Sequence, residues 1–179
     1  MKRIPHVIIA LCLLISSSIL AENTDDHSTA HTSSTEMQPI NFTEWDGILE
    51  NQLGNITVVD FWAGWCLPCI ERFPHMVKMH HKYKDRGVRF LSLNLDEQGD
   101  KESIDWANDF LERVKADFPN YHMNENMTEA FERLDLLGLP TVRIYTTDGT
   151  EAYRLSGDNP YQQFTETDVE NAVLDLLTK

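Results

Sequence analysis

Cysteine is scarce in this chain: Cys12, Cys66 and Cys69 are the only three in 179 residues. That excludes a domain stapled by several disulfides, so the chain must fold around an ordinary apolar core. It also excludes a structural zinc centre of two Cys pairs, which needs four ligands. Basic residues are few as well, 15 Lys and Arg against 29 Asp and Glu, for a formal charge of −14. Such a surface repels phosphate backbones and anionic lipid, so no nucleic-acid partner is expected, and its plain role is solubility. No apolar run reaches the roughly 20 residues of a membrane-spanning helix, and no internal repeat is present.

The ends and the composition divide the chain in three. Lys2 and Arg3, the apolar run Val7–Ile15, Ser16–Ser18 and then Ile19-Leu20-Ala21 follow the order of a secretory signal. Residues 1–21 are therefore predicted to be a signal peptide cleaved after Ala21, or else an N-terminal anchor through residues 4–21. Leu11 before Cys12 is too large for a lipoprotein signal, and Cys12 reads as apolar filler. Either outcome predicts a periplasmic or otherwise extracytoplasmic protein, where disulfides persist. Residues 22–37, rich in Ser, Thr, Asp and His, read as a flexible linker, with His27 and His31 as polar filler. Residues 38–179 suffice for one domain, expected to be monomeric.

Within that domain the apolar spacing predicts alternating elements. Helices are expected over Asn41–Leu53, Cys66–Tyr83, Asp100–Lys115, Asn126–Leu137 with Gly138 as C-terminal cap, and Thr165–Leu177. Ile56–Trp62 and Val88–Leu95 read as buried strands and Tyr121–Met123 as a brief one. Thr141–Thr147 and Glu151–Leu155 flank the hairpin signal Asp148-Gly149. The class is α/β, a mixed central sheet flanked by helices.

The chemistry concentrates at Trp65-Cys66-Leu67-Pro68-Cys69. Cys66 lies where a strand feeds the start of a helix, where free N–H groups and the helix dipole favour an anion. Only the thiolate attacks a disulfide, so this is the position expected for an exposed, reactive sulfur. Cys69, one turn further in, can attack a mixed disulfide on Cys66 and release the partner. Pro68 suits a first turn. Neither Leu67 nor Pro68 adds a charge or a hydrogen-bonding side chain to stabilise the thiolate, which favours a reducing couple. Asp60, mid-strand with Val58 and Trp62 on its face, is expected to be buried, with its pKa raised and a proton to exchange with Cys69. His75, His80 and His81 share the cysteine helix, lack the spacing for a tetrahedral site, and read as surface or rim residues. Pro74 is expected to kink that helix. Spacing alone leaves Pro140 cis or trans. No metal and no cofactor are expected.

Together these positions resemble the thioredoxin superfamily. Val58 through Cys69 is similar to its active-site segment, Pro74 to its helix-kinking proline, Pro140-Thr141 to its cis-proline and threonine, and Gly157 to a glycine of the last strand. The 70 residues between Cys69 and Pro140 leave room for an extra helix and strand, as in the TlpA-like extracytoplasmic thiol–disulfide oxidoreductases. The resemblance implies a cis Pro140, Cys66 as attacking thiol, Cys69 as resolving thiol and Asp60 as proton acceptor. Trp65, Leu67, Pro68, Leu139 and Pro140 become the candidate substrate-binding residues. Two positions depart from that group: Asp60, where a non-acid is common, and Arg72, where a glutamate is common.

The function expected is a reductase of disulfides in exported proteins, re-reduced by an electron donor such as a membrane thiol–disulfide reductase. The same site run as an oxidase or isomerase is one alternative. A non-catalytic peptide-binding module is another. A peroxide-reducing enzyme would want a threonine where Ala63 stands.

Overall fold

A computed structural model describes residues 35–159, 161 and 163–179. The predicted signal or anchor, Cys12, His27, His31 and nearly all of the linker lie outside the described residues. Met37, at the linker's expected end, is buried, and its N–H donates to Asn108 Oδ1 at 2.9 Å.

Among the described residues, six strands and five α-helices follow in the order β1 (Gln38–Ile40), α1 (Phe42–Glu50), β2 (Ile56–Trp62), α2 (Leu67–Tyr83), β3 (Val88–Asn94), α3 (Lys101–Val114), β4 (Asn120–Met123), α4 (Met127–Arg133), β5 (Thr141–Tyr145), β6 (Glu151–Ser156) and α5 (Glu166–Leu177). They form one mixed sheet, ordered β1-β4-β3-β2-β5-β6. β1 to β4, β4 to β3 and β3 to β2 pair in parallel, while β5 runs antiparallel to both β2 and β6. This is the thioredoxin fold, with α3, β4 and α4 between the cysteine helix and Pro140.

Strand β2 is buried along its whole length. Its alternating side chains feed two cores. Val58 and Trp62 pack with Phe73, Met76, Phe110 and Val173 on one side, whereas Val59 and Phe61 pack with Trp45, Leu91 and Leu134 on the other. The first core draws on α2, α3 and α5, the second on α1 and α4.

Local chemistry sets the helix ends. Asn41 and Glu44 form a capping box at α1, Thr165 and Asp168 another at α5, and Asp100 caps α3. Two expected helices end early. α1 stops at Glu50 rather than Leu53, and α4 stops at Arg133 rather than running to a Gly138 cap. In α4 the left-handed residue is Asp135, with φ of 49°, and the Leu136 N–H returns to the Phe131 carbonyl. An Asp tolerates that conformation, so the helix closes before the glycine is reached. α2 continues through Pro74 as a single helix. Strand β1 has no sequence signal: three residues including Pro39, on a sheet edge where a missing N–H is tolerated.

Two glycines should respond in opposite directions to alanine. A Cβ on Gly157 would lie 2.8 Å from Pro140 Cδ and 3.1 Å from its carbonyl oxygen, whereas one on Gly47, inside α1, meets nothing within 4 Å. Urea denaturation should find Gly157→Ala less stable by about 1–3 kcal/mol. Gly47→Ala should be more stable by about 0.5–1 kcal/mol.

Candidate active site

Four residues after the end of β2, Cys66 occupies the N-cap position of α2 with φ −89° and ψ 90°. Its carbonyl accepts the Cys69 and Ile70 N–H groups at 3.0 and 3.1 Å, which begins the helix. Cys66 and Cys69 are joined as a disulfide, with Cα atoms 5.3 Å apart. Pro68 sits in the first turn, where no N–H is required. Exposure at the site differs from expectation. Cys66 is only 4% exposed and Cys69 is fully buried, while Trp65 and Leu67 are 58% and 66% exposed. In the disulfide form the sulfurs are therefore covered, and the apolar side chains beside them meet solvent.

The turn before Cys66 is held by a residue that carries no motif. Asp96, just past β3, accepts the Gly64 N–H on both carboxylate oxygens at 3.0 Å. Asn94 Nδ2 donates to Asp96 Oδ2 at 2.8 Å, and the His122 Nε2–H donates to the Asp96 carbonyl at 3.1 Å. Burial pushes the Asp96 carboxyl up, and the hydrogen bonds from Asn94 and Gly64 oppose that shift. A Cβ on Gly64 would sit 3.2 Å from both Asp96 Oδ2 and Trp106, so a glycine lets the turn approach this closely.

Pro140 enters β5 through a cis Leu139–Pro140 bond. Thr141 pairs with Phe61, so Pro140 lies beside the end of β2 that leads to Cys66. The Pro140 carbonyl accepts the Gly157 N–H at 2.8 Å, and Thr141 Oγ1 donates to the Gly138 carbonyl at 2.7 Å. Arg143, which sequence reasoning passed over, steadies the approach to this loop by donating to the Leu134 and Asp135 carbonyls. Leu139 is half-buried and Pro140 buried, whereas Pro68 is exposed.

Asp60 is fully buried, on the side of the sheet that faces α2. Its partner is Arg72, whose Nη2 donates to Asp60 Oδ1 at 2.6 Å. Arg72 is 7% exposed, and its guanidinium lies 4.8 Å from the centre of the Phe164 ring. Asp60 Oδ2, Arg72 Nε and Arg72 Nη1 have no hydrogen-bond partner among the described residues. Burial pushes the Asp60 pKa up, and Arg72 opposes it through its charge and hydrogen bond. The arginine that departs from the resembled pattern is thus the counter-ion of the aspartate that also departs from it. Arg72 stands three residues beyond Cys69, so both fall on one face of α2.

Residues 36–150 match the model of the AhpC/TSA family. The chain belongs to that family. This AhpC/TSA member is similar to the thiol-disulfide oxidoreductase ResA of Bacillus thuringiensis subsp. konkukian, with 27% identity over 119 residues, 66% of this chain and 64% of that one. It thus spans just under two thirds of that relative's length. In fold it is similar to a thiol:disulfide interchange protein of the thioredoxin family from Chlorobium tepidum (TM-score 0.58, 21% identity, 72% of this chain and 83% of that one). It also matches the thioredoxin domain of a thiol-disulfide oxidoreductase from Bacteroides vulgatus (TM-score 0.53, 22% identity, 69% and 82%).

The ion pair makes a directional prediction. Arg72→Leu leaves a buried carboxylate without its cation and should cost about 3–5 kcal/mol near neutral pH. A buried acid whose pKa is raised binds protons more readily folded than unfolded, so stability falls as pH rises through the acidic range. Without Arg72 that fall should steepen. The deficit of Arg72→Leu should therefore shrink below about pH 4, where Asp60 is protonated in both states. Adding Asp60→Asn should recover part of it, as read by denaturant melts across pH.

Proposed function

We propose that this protein is an exported thiol–disulfide oxidoreductase that works as a dithiol reductase of protein disulfides. The observation that carries the proposal is the Cys66–Cys69 disulfide at the N-terminus of α2, beside Pro140 and under the exposed apolar side chains Trp65 and Leu67.

In the reduced enzyme, the Cys66 thiolate attacks one sulfur of a client disulfide. A Cys66–client bond forms, and the other client sulfur leaves as a thiolate that takes up a proton. Cys69 then gives its proton to the Asp60 carboxylate and attacks Cys66 Sγ. The Cys66–Cys69 bond closes, the second client sulfur departs as a thiolate and takes up a proton, and Asp60 releases the one it received. Two electrons have moved from the enzyme dithiol to the client, and a donor dithiol restores the enzyme by the reverse exchange. The helix N-terminus favours the Cys66 anion in each direction.

The remaining residues bind and orient. Trp65, Leu67 and Pro68 offer an apolar surface to the client chain, and Leu139 and Pro140, at the entry to β5, offer a second. Arg72 opposes, through its charge and hydrogen bond, the upward push that burial gives the Asp60 pKa. Ala63 leaves no hydroxyl three residues before Cys66, where a peroxide-reducing site would use one. Export rests on residues 1–21. No helix among the described residues is long and apolar enough to cross a membrane.

Insulin-disulfide reduction tests the activity. Cys66→Ser should lower the rate to background, and Cys69→Ser should accumulate a mixed disulfide with its client, visible by mass spectrometry. Equal rates for the wild type and Cys66→Ser would reject catalysis and leave a peptide-binding module. Equilibration with glutathione buffers tests direction. A couple already oxidised in mildly oxidising buffer is the expected result, and one that stays reduced would reverse the assignment to an oxidase.

A further inference from the structure

The far end of α2 carries a second cluster of ligating side chains. His80 and His81 occupy its last turns, and Asp117 lies in the connection from α3 to β4. The sequence offers no link between them, because 35 residues lie between His81 and Asp117. In the fold, His80 Nε2 and His81 Nε2 approach the same atom, Asp117 Oδ1, at 3.8 and 3.3 Å. One ligand atom from each residue fits within 4.8 Å of the others.

Neither approach is a hydrogen bond. Asp117 Oδ1 is shielded from solvent and accepts no hydrogen bond, and His80 Nδ1 is likewise buried without a partner. Three electron-pair donors therefore converge with no proton donor serving the central oxygen. A tetrahedral first-row ion with bonds of about 2.0–2.1 Å holds its ligand atoms about 3.3–3.4 Å apart. The two spacings to Asp117 Oδ1 lie at and slightly above that separation, and side-chain movement would bring in the third, which is within 4.8 Å.

The ligands are also held in place. The His80 ring packs edge-on against Phe90 and Phe118, with centroids 5.8 and 5.3 Å away. Lys84 and Arg89 bear on His80 through their charge and repel a cation, and the Asp117 carboxylate offsets part of that repulsion. Two imidazoles and one carboxylate suit zinc and its transition-metal neighbours rather than calcium or magnesium, which take oxygen ligands.

We propose that His80, His81 and Asp117 form a zinc site, separate from the thiol pair, that clasps the C-terminal end of α2 to the α3–β4 connection. Water would complete the coordination.

The test uses the full chain with Cys66–Cys69 oxidised, so that these sulfurs cannot bind the probe. Zinc chloride is titrated calorimetrically into the wild type, His81→Ala and Asp117→Asn, all of which keep His80 in its packing and share the same N-terminal residues. The wild type should bind one more equivalent than His81→Ala, and Asp117→Asn should weaken that equivalent by about tenfold or more. Zinc should raise the Tm of the wild type and leave that of His81→Ala unmoved. Cobalt should give the visible bands of a four-coordinate site in the wild type alone. Insulin reduction should be the same in all three proteins. Equal zinc stoichiometry and affinity in the wild type and both variants would overturn the proposal, leaving a histidine–aspartate ion pair. So would the absence of any zinc binding.

Discussion

Strand β2 is buried on both faces and paired on both edges, and this constraint organises the molecule. A strand enclosed in this way cannot turn towards water until it passes the end of the sheet. The first residues free of the ladder are Ala63 to Trp65, and there the chain reverses into α2 with Cys66 at its head. The antiparallel partner β5 begins at that same end, so the loop bearing Pro140 is delivered beside the sulfurs by strand register. Neither cysteine has to be positioned by its own side chain. Their place follows from two strands, one leaving the sheet and one entering it.

The same burial makes Asp60 costly, and the chain answers with Arg72. An ionised carboxylate away from water is strongly unfavourable unless paired. Here a guanidinium reaches it from the adjacent helix, braced by the Phe164 ring. The pairing is incomplete, with one aspartate oxygen and two arginine nitrogens left without hydrogen bonds. Such a pair stores little stability. It places a titratable carboxyl among apolar side chains, beside the core that contains both cysteines.

What could be read from the residues was whatever depends on neighbours along the chain. Alternation in Val58–Trp62 put Asp60 on the face of Val58 and Trp62 and predicted its burial, which the structure shows. The step from that strand through a short turn to Cys66 located the head of α2. Contacts across the sheet stayed hidden. Nothing near Arg72 in sequence points to Asp60, and Asp96 resembles any strand-end aspartate until the fold brings it to Gly64. Asp117 likewise meets His80 and His81 only after α3 packs. Gly138 was the more obvious helix terminator, yet Asp135 adopts the left-handed conformation first. Strand β1 is too short for any periodicity to register.

Trp65 and Leu67 carry no charge, whereas the chain as a whole carries −14. Contact and approach are therefore governed by different forces. On the proposed function, a docked client would be held by apolar area, which dissolved ions scarcely alter, while its diffusion inward would be steered by the field of the whole molecule. Added electrolyte should slow capture of cationic clients and hasten capture of anionic ones. Lifetimes of both encounters would stay nearly constant, so selectivity among clients would reside in arrival rather than residence.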